Sequence, residues 1–176
     1  MKTRELVVAG LLIALAVTLP LAAHLTKVGG PVLLPMHIPI FLAGLFLRPG
    51  LAAAVGALSP VISFLLTGMP PLSPPMLPLM VVELATYGLV LSLLSRRTDW
   101  SIWVTLPLSM LFGRVALGLA AALIGPLFNF HVNPLIYVYG ALLKGLPGIA
   151  LQLVIVPLVA FYMKKTNLLE AWQITQ

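Results

Sequence analysis

Long apolar runs alternate with short polar or proline-rich breaks along this chain, and the alternation predicts its elements. Six runs read as helices, at approximately residues 6–23, 35–47, 51–66, 76–94, 102–124 and 137–163. A membrane-spanning helix takes roughly 17–25 residues. The second and third runs are short, and the tight turn Arg48-Pro49-Gly50 joins them into a membrane hairpin. The other breaks are equally clear. His24 to Leu34 reads as a loop carrying Lys27 and Gly29-Gly30, after Pro20 closes the first run. Five prolines between Pro70 and Pro78 fix φ and suppress helix until about Met76. Arg96-Arg97-Thr98-Asp99 separates the fourth run from the fifth, and Pro126 to Asn133 forms the last loop. Pro39 lies near a helix start, where a missing N–H costs little. Pro60 is expected to kink the third run, with Ser59 or Ser63 re-satisfying the freed carbonyls. Gly145, Pro147 and Gly148 loosen the sixth run, which Lys164-Lys165 ends.

Composition turns these runs into membrane spans. Of 176 residues, 61% are hydrophobic and 8% charged, against roughly 25% charged in a soluble domain. The expected fold is therefore an all-α integral membrane protein. It is read as one domain over residues 1–176, with six transmembrane helices in one compact bundle. The first run has a basic start but no small-residue cleavage site followed by a soluble body, so it reads as a membrane helix and not a removed signal. With no cysteine there is no disulfide or thiolate chemistry.

The net charge of +6 invites a nucleic-acid reading, but the basic residues sit at helix ends, where topology explains them. With the N-terminus inside, the inner ends hold seven: Lys2, Arg4, Arg48, Arg96, Arg97, Lys164 and Lys165. The outer loops hold one, Lys27. That bias places both termini in the cytoplasm of a multi-pass protein of the cell membrane.

In this orientation His24, His37, His131, Asn129 and Asn133 fall on the outer side, as does the proline loop. Three ionisable groups lie inside spans: Glu83, Arg114 and Lys144. At 1.5 Å per residue, Glu83 and Lys144 lie about 10 Å and Arg114 about 15 Å from the outer helix ends. Charges at such depth are costly unless paired or lining a cavity, and they mark functional sites by default. One reading is an outward-opening polar pocket of Glu83, Arg114 and Lys144, with His37, Tyr87, Asn129, His131 and Asn133 nearer its mouth. The other is a structural Glu83–Arg114 bridge tying two helices together.

The first span carries Gly10, Ala14 and Thr18 at steps of four. Small residues at that spacing let another helix approach closely in lipid. Packing inside the bundle and docking of a partner both remain open on the spacing alone.

The stretches MHIPIFLAGLFLRPGLAAAVGALSP, FLLTGMPP and ELATYGLVLSLL resemble the substrate-binding S components of energy-coupling factor (ECF) vitamin transporters of prokaryotes. GMPP followed by ELATYG carries the most specific part of that likeness, which extends over nearly the whole chain. The resemblance implies a bacterial capture subunit that binds a small water-soluble vitamin or precursor from outside. It would then dock on a module made of a coupling transmembrane subunit and two ATPase subunits. Docking in such proteins uses the small-residue face of the first helix, a role that falls here on Gly10 and Ala14. The chain has no G-x-x-x-x-G-K-[ST] loop, so ATP use belongs to partners. No cofactor and no resident metal are implied. The family's metal-binding branch resembles chains with a histidine just after the initiator methionine, where this chain has Lys2.

Rival functions are weaker on the residues. A serine protease in the membrane needs a nucleophile and a histidine at matched depth, yet Ser59 and Ser63 lie deeper than the outer histidines, and G-x-S-x-G is absent. Four acids in all are few for a metal-dependent transferase. A stand-alone secondary transporter or small channel shares the composition and is the main alternative; a metal-ion capture protein is a lesser one. The pocket residues suit a small, uncharged or amphoteric heterocycle. Vitamin B6, a pyrimidine or thiazole precursor, dimethylbenzimidazole, niacin and pantothenate all remain open.

Overall fold

The computed structural model describes residues 3–25, 30–72, 75–128 and 133–165. All their regular secondary structure is helical, with no β-strand among the described residues. In chain order the elements are α1 (Thr3–Leu25), α2 (Gly30–Leu33), α3 (His37–Phe46), α4 (Pro49–Thr67), α5 (Met76–Arg97) and α6 (Ile102–Ile124). A 3-10 turn (Gly125–Phe128) and α7 (Pro134–Lys165) follow. Five of them, α1, α4, α5, α6 and α7, are long and apolar enough to cross a membrane. Their outer faces stay apolar, with Leu11, Leu65, Leu119, Leu123 and Val154 exposed. That is the pattern of helices whose surroundings are lipid and not water.

The expected second span is different. α3 has 10 residues, about 15 Å of helix, half of a roughly 30 Å hydrocarbon core. It is preceded by the single turn α2 and by a break at Leu34, whose φ of 49° is left-handed and rare outside glycine. Broken backbone is tolerated at membrane depth only when protein surrounds it. α3 meets that condition: His37, Pro39, Ile40, Phe41, Ala43, Gly44 and Leu45 are all buried. It packs against α1, α4, α5 and α7 and forms the middle of the bundle, while α5 lies between α4 and α6. Ile40, Phe41, Leu47, Leu84, Leu91, Leu106 and Val156 make up the core around it.

α4 and α5 touch backbone to backbone. A Cβ on Gly56 would strike the carbonyl of Leu84, and one on Gly88 would strike the carbonyl of Ala52. The two contacts are each one helical turn apart on both helices, the small-residue packing that lets helices associate in lipid.

Several boundaries differ from the sequence expectation. α1 runs through Pro20 to Leu25, so His24 belongs to its last turn and not to a loop. Gly30–Leu33 is helical as well, while Lys27 lies outside the described residues. α4 likewise continues through the buried Pro60. Ser59 donates to the carbonyl of Val55 at 2.7 Å, and not to that of Gly56, which the proline's missing N–H leaves without its helical donor. Gly68, at φ 73°, caps α4 in the left-handed conformation and donates to Phe64 O at 2.8 Å.

One end of the bundle gathers the basic residues. Arg48, in the α3–α4 turn, grips the buried Glu5 of α1 through two hydrogen bonds, Nε to Oε1 at 3.0 Å and Nη2 to Oε2 at 2.7 Å. Arg96 donates to Phe46 O at 3.2 Å, and Ser92 donates to Leu47 O at 2.6 Å. These bonds satisfy carbonyls that the end of α3 leaves orphaned.

Candidate functional site

The site is built where α5 and α6 cross in the half of the bundle away from that basic end. Glu83 and Tyr87 sit one turn apart on α5, so they share a face. The hydroxyl of Tyr87 donates to Oε1 of Glu83 at 2.7 Å. Arg114 of α6 places Nη1 2.8 Å from the same oxygen, with side chains only 11% (Arg114) and 5% (Glu83) exposed. Gly113 makes this possible, because a Cβ there would fall on the Tyr87 ring.

α3 supplies the third wall. His37, the first residue of α3, is 3% exposed and packs its ring 5.6 Å from that of Tyr87. Phe41, one turn on, packs its ring 5.1 Å from the same ring. Neither ring nitrogen of His37 has a hydrogen-bond partner among the described residues. Its imidazole lies within electrostatic reach of Arg114. A buried polar side chain without a partner is rare in folded proteins and calls for a reason.

α7 closes the fourth side, with Tyr137 lying within electrostatic reach of both Glu83 and Arg114. A Cβ on Gly145 would come 2.8 Å from Leu34 Cδ1 and 3.6 Å from Arg114 Nη2. Gly148 lies against the carbonyls of Val32 and Leu33. Gln152, fully buried, donates to Leu34 O at 3.4 Å. The break between α2 and α3 is thus seated in a glycine-lined groove of α7 beside the Glu83–Arg114 pair. The left-handed Leu34 and the unpartnered His37 are three residues apart at this break. Strained backbone that persists in such a place is a mark of a functional site.

The sequence-predicted residues divide unevenly. Glu83, Arg114, Tyr87 and His37 come together, and His37 is buried instead of lying at a solvated mouth. Lys144 does not join them: it is exposed on α7, next to the buried Gly145, and makes no ion pair among the described residues. The expected three-charge layer is a two-charge pair. Asn133 is exposed and begins α7, its Oδ1 accepting from Leu135 N at 2.9 Å and its carbonyl from Tyr137 N at 3.0 Å. That is the geometry of a helix N-cap. Asn129 and His131 lie outside the described residues. Gly10 and Ala14 are exposed on α1, and no described residue lies within 4 Å of a Cβ built on Gly10. Sequence reasoning missed Tyr137 and Gln152. Gln152 carried a usable signal, being an amide inside an apolar span; Tyr137, at a helix start, carried none.

A family model described as the ECF transporter, substrate-specific component, matches residues 4–160. No curated protein and no solved structure matches the chain.

Proposed function

The chain belongs to the substrate-specific components of ECF transporters, and from that premise we propose that the Glu83–Arg114–Tyr87–His37 cluster is its capture site. The ligand is a small water-soluble vitamin or vitamin precursor taken up from the extracellular side of a prokaryotic cell membrane. The broken pair α2–α3 serves as the sixth crossing, and the basic end with both termini faces the cytoplasm. Delivery follows docking, through the small-residue face of α1, on a coupling subunit and its two ATPases. The protein itself performs no chemistry.

One observation supports this reading of the site: among the described residues His37 keeps both ring nitrogens unpartnered at 3% exposure, against a buried ion pair. A histidine left unpaired in a core costs stability, and a ligand that hydrogen-bonds it would supply what the protein does not. The test is a native mass spectrum of the purified protein with whatever small molecule it retains, repeated on the Glu83→Gln/Arg114→Met double variant. The retained mass should be lost in the double variant. If it is kept undiminished, the capture site is elsewhere.

A further inference from the structure

Two ion pairs of this protein, Arg48–Glu5 and Arg114–Glu83, are built differently, and the difference points to the ligand. Arg48 closes its guanidinium fork on Glu5, one nitrogen to each carboxylate oxygen. That geometry leaves both groups occupied. Arg114 instead meets Oε1 of Glu83, the oxygen that already accepts from Tyr87, and makes no forked hydrogen bonds with the carboxylate. Both contacts that Glu83 makes here, from the Tyr87 hydroxyl and from Arg114, thus fall on Oε1. A carboxylate has about four lone-pair sites and a guanidinium five N–H donors, so both carry spare capacity side by side in a nearly dry place. His37 adds two nitrogens without a partner among the described residues, which in a neutral imidazole are one donor and one acceptor.

We propose that this site takes a heterocycle of zero net charge whose edge presents a hydrogen-bond donor beside an acceptor, as in a carboxamide, a lactam or an aminopyrimidine. The acceptor receives from Arg114, the donor gives to Oε2 of Glu83, and the ring lies against Tyr87 and His37. This rests on the reading of the cluster as the capture site.

Charge supplies the selectivity. Glu83 and Arg114 cancel, and the exposed Lys144 adds no second cation. A ligand carboxylate would set its oxygens against Oε2 of Glu83, and like charges at hydrogen-bonding distance repel strongly where water is scarce. A cationic ligand would meet Arg114 in the same way. An edge with one donor and one acceptor satisfies both partners without adding charge.

The test uses matched probes on the purified full chain: nicotinamide against nicotinate, and 4-amino-5-hydroxymethyl-2-methylpyrimidine as a second neutral probe. Binding is measured by calorimetry on the wild type and on Glu83→Gln, Arg114→Met and the double variant, with thermal unfolding followed in parallel. At least one neutral probe is expected to bind, with nicotinate about tenfold or more weaker than nicotinamide, since hydrogen bonds to charged groups carry at least that much. The double variant should stay folded and lose the neutral probe. Nicotinate binding equal to or tighter than the amide, and lost in Arg114→Met, overturns the ligand class while leaving the site in place. Failure of both neutral probes overturns the class too. A probe that binds the folded double variant at full affinity overturns the site itself.

Discussion

The ring of Tyr87 occupies the space that a side chain on Gly113 would need. This one packing relation fixes the site, because the same ring touches His37 and Phe41 and its hydroxyl holds Glu83. Gly113→Ala should therefore act on binding as well as on folding. Alanine gains up to about 1 kcal/mol over glycine in a helix, but crowding a packed core costs about 1–3 kcal/mol. The clash is with a ring already packed against His37 and Phe41, so the cost wins. A lower Tm with weaker ligand binding is expected. Gly10→Ala, with open space around it, should leave Tm unchanged or slightly raised.

Breaking the buried pair on one side should be worse than removing it. Glu83→Gln strands Arg114, and Arg114→Met strands Glu83; losing one partner of a buried pair costs about 3–5 kcal/mol. Neutralising both is often tolerated. Thermal unfolding of the two single variants and the double should show large losses in the singles and recovery in the double. Ligand affinity should not recover. A double variant with full affinity would make the pair a brace between α5 and α6.

Glu5–Arg48 offers the contrasting case. Arg48 is 46% exposed while Glu5 is 3% exposed, so solvent screens one partner only. Arg48→Met should cost about 1.5–3 kcal/mol, the scale of a lost charge-assisted bond, and leave ligand affinity unaltered. Reduced affinity with unchanged Tm would link this end of the bundle to the capture site.

Topology is open to a direct check, because the chain has no cysteine. Leu72 and Asp99 are both exposed, beyond opposite ends of α5. In intact cells a membrane-impermeant maleimide should label Leu72→Cys, and Asp99→Cys only after permeabilisation. The reverse pattern would invert the orientation drawn from the basic residues.

Much of this arrangement was legible in the residues, for identifiable reasons. Glu83 and Arg114 stand out because lipid penalises a lone charge, so each implies a partner. Lys144 gave the same signal wrongly: its side chain is long enough to leave the core, and it sits one residue from the inward-facing Gly145. A single residue is 100° of helix, which no depth estimate resolves. His37 belongs to the expected element but is buried and not at a solvated mouth, because α2 and the Leu34 break, which read as loop, fold back against α7. The tight α4–α5 contact was present as Ala52, Gly56 and Gly88, yet the small residues of α1 form the more visible stripe. Spacing alone does not say which stripe is covered.

That last distinction yields the prediction on which assembly turns. α1 buries Glu5, Ala9, Leu12, Ala16 and Val17, while Gly10, Ala14 and Thr18 lie on exposed positions. No described residue lies within 4 Å of a Cβ on Gly10, so a larger side chain there leaves the packing of the described helices undisturbed. Gly10→Leu and Ala14→Leu should thus leave Tm and ligand affinity unchanged. They should weaken co-purification with the coupling subunit, since close helix approach in a membrane depends on small residues at the contact. Had the stripe packed internally, the same substitutions would lower Tm and spare assembly. Measuring all three quantities on both variants separates the two roles, and a fall in Tm with the complex intact would remove Gly10 and Ala14 from the docking face.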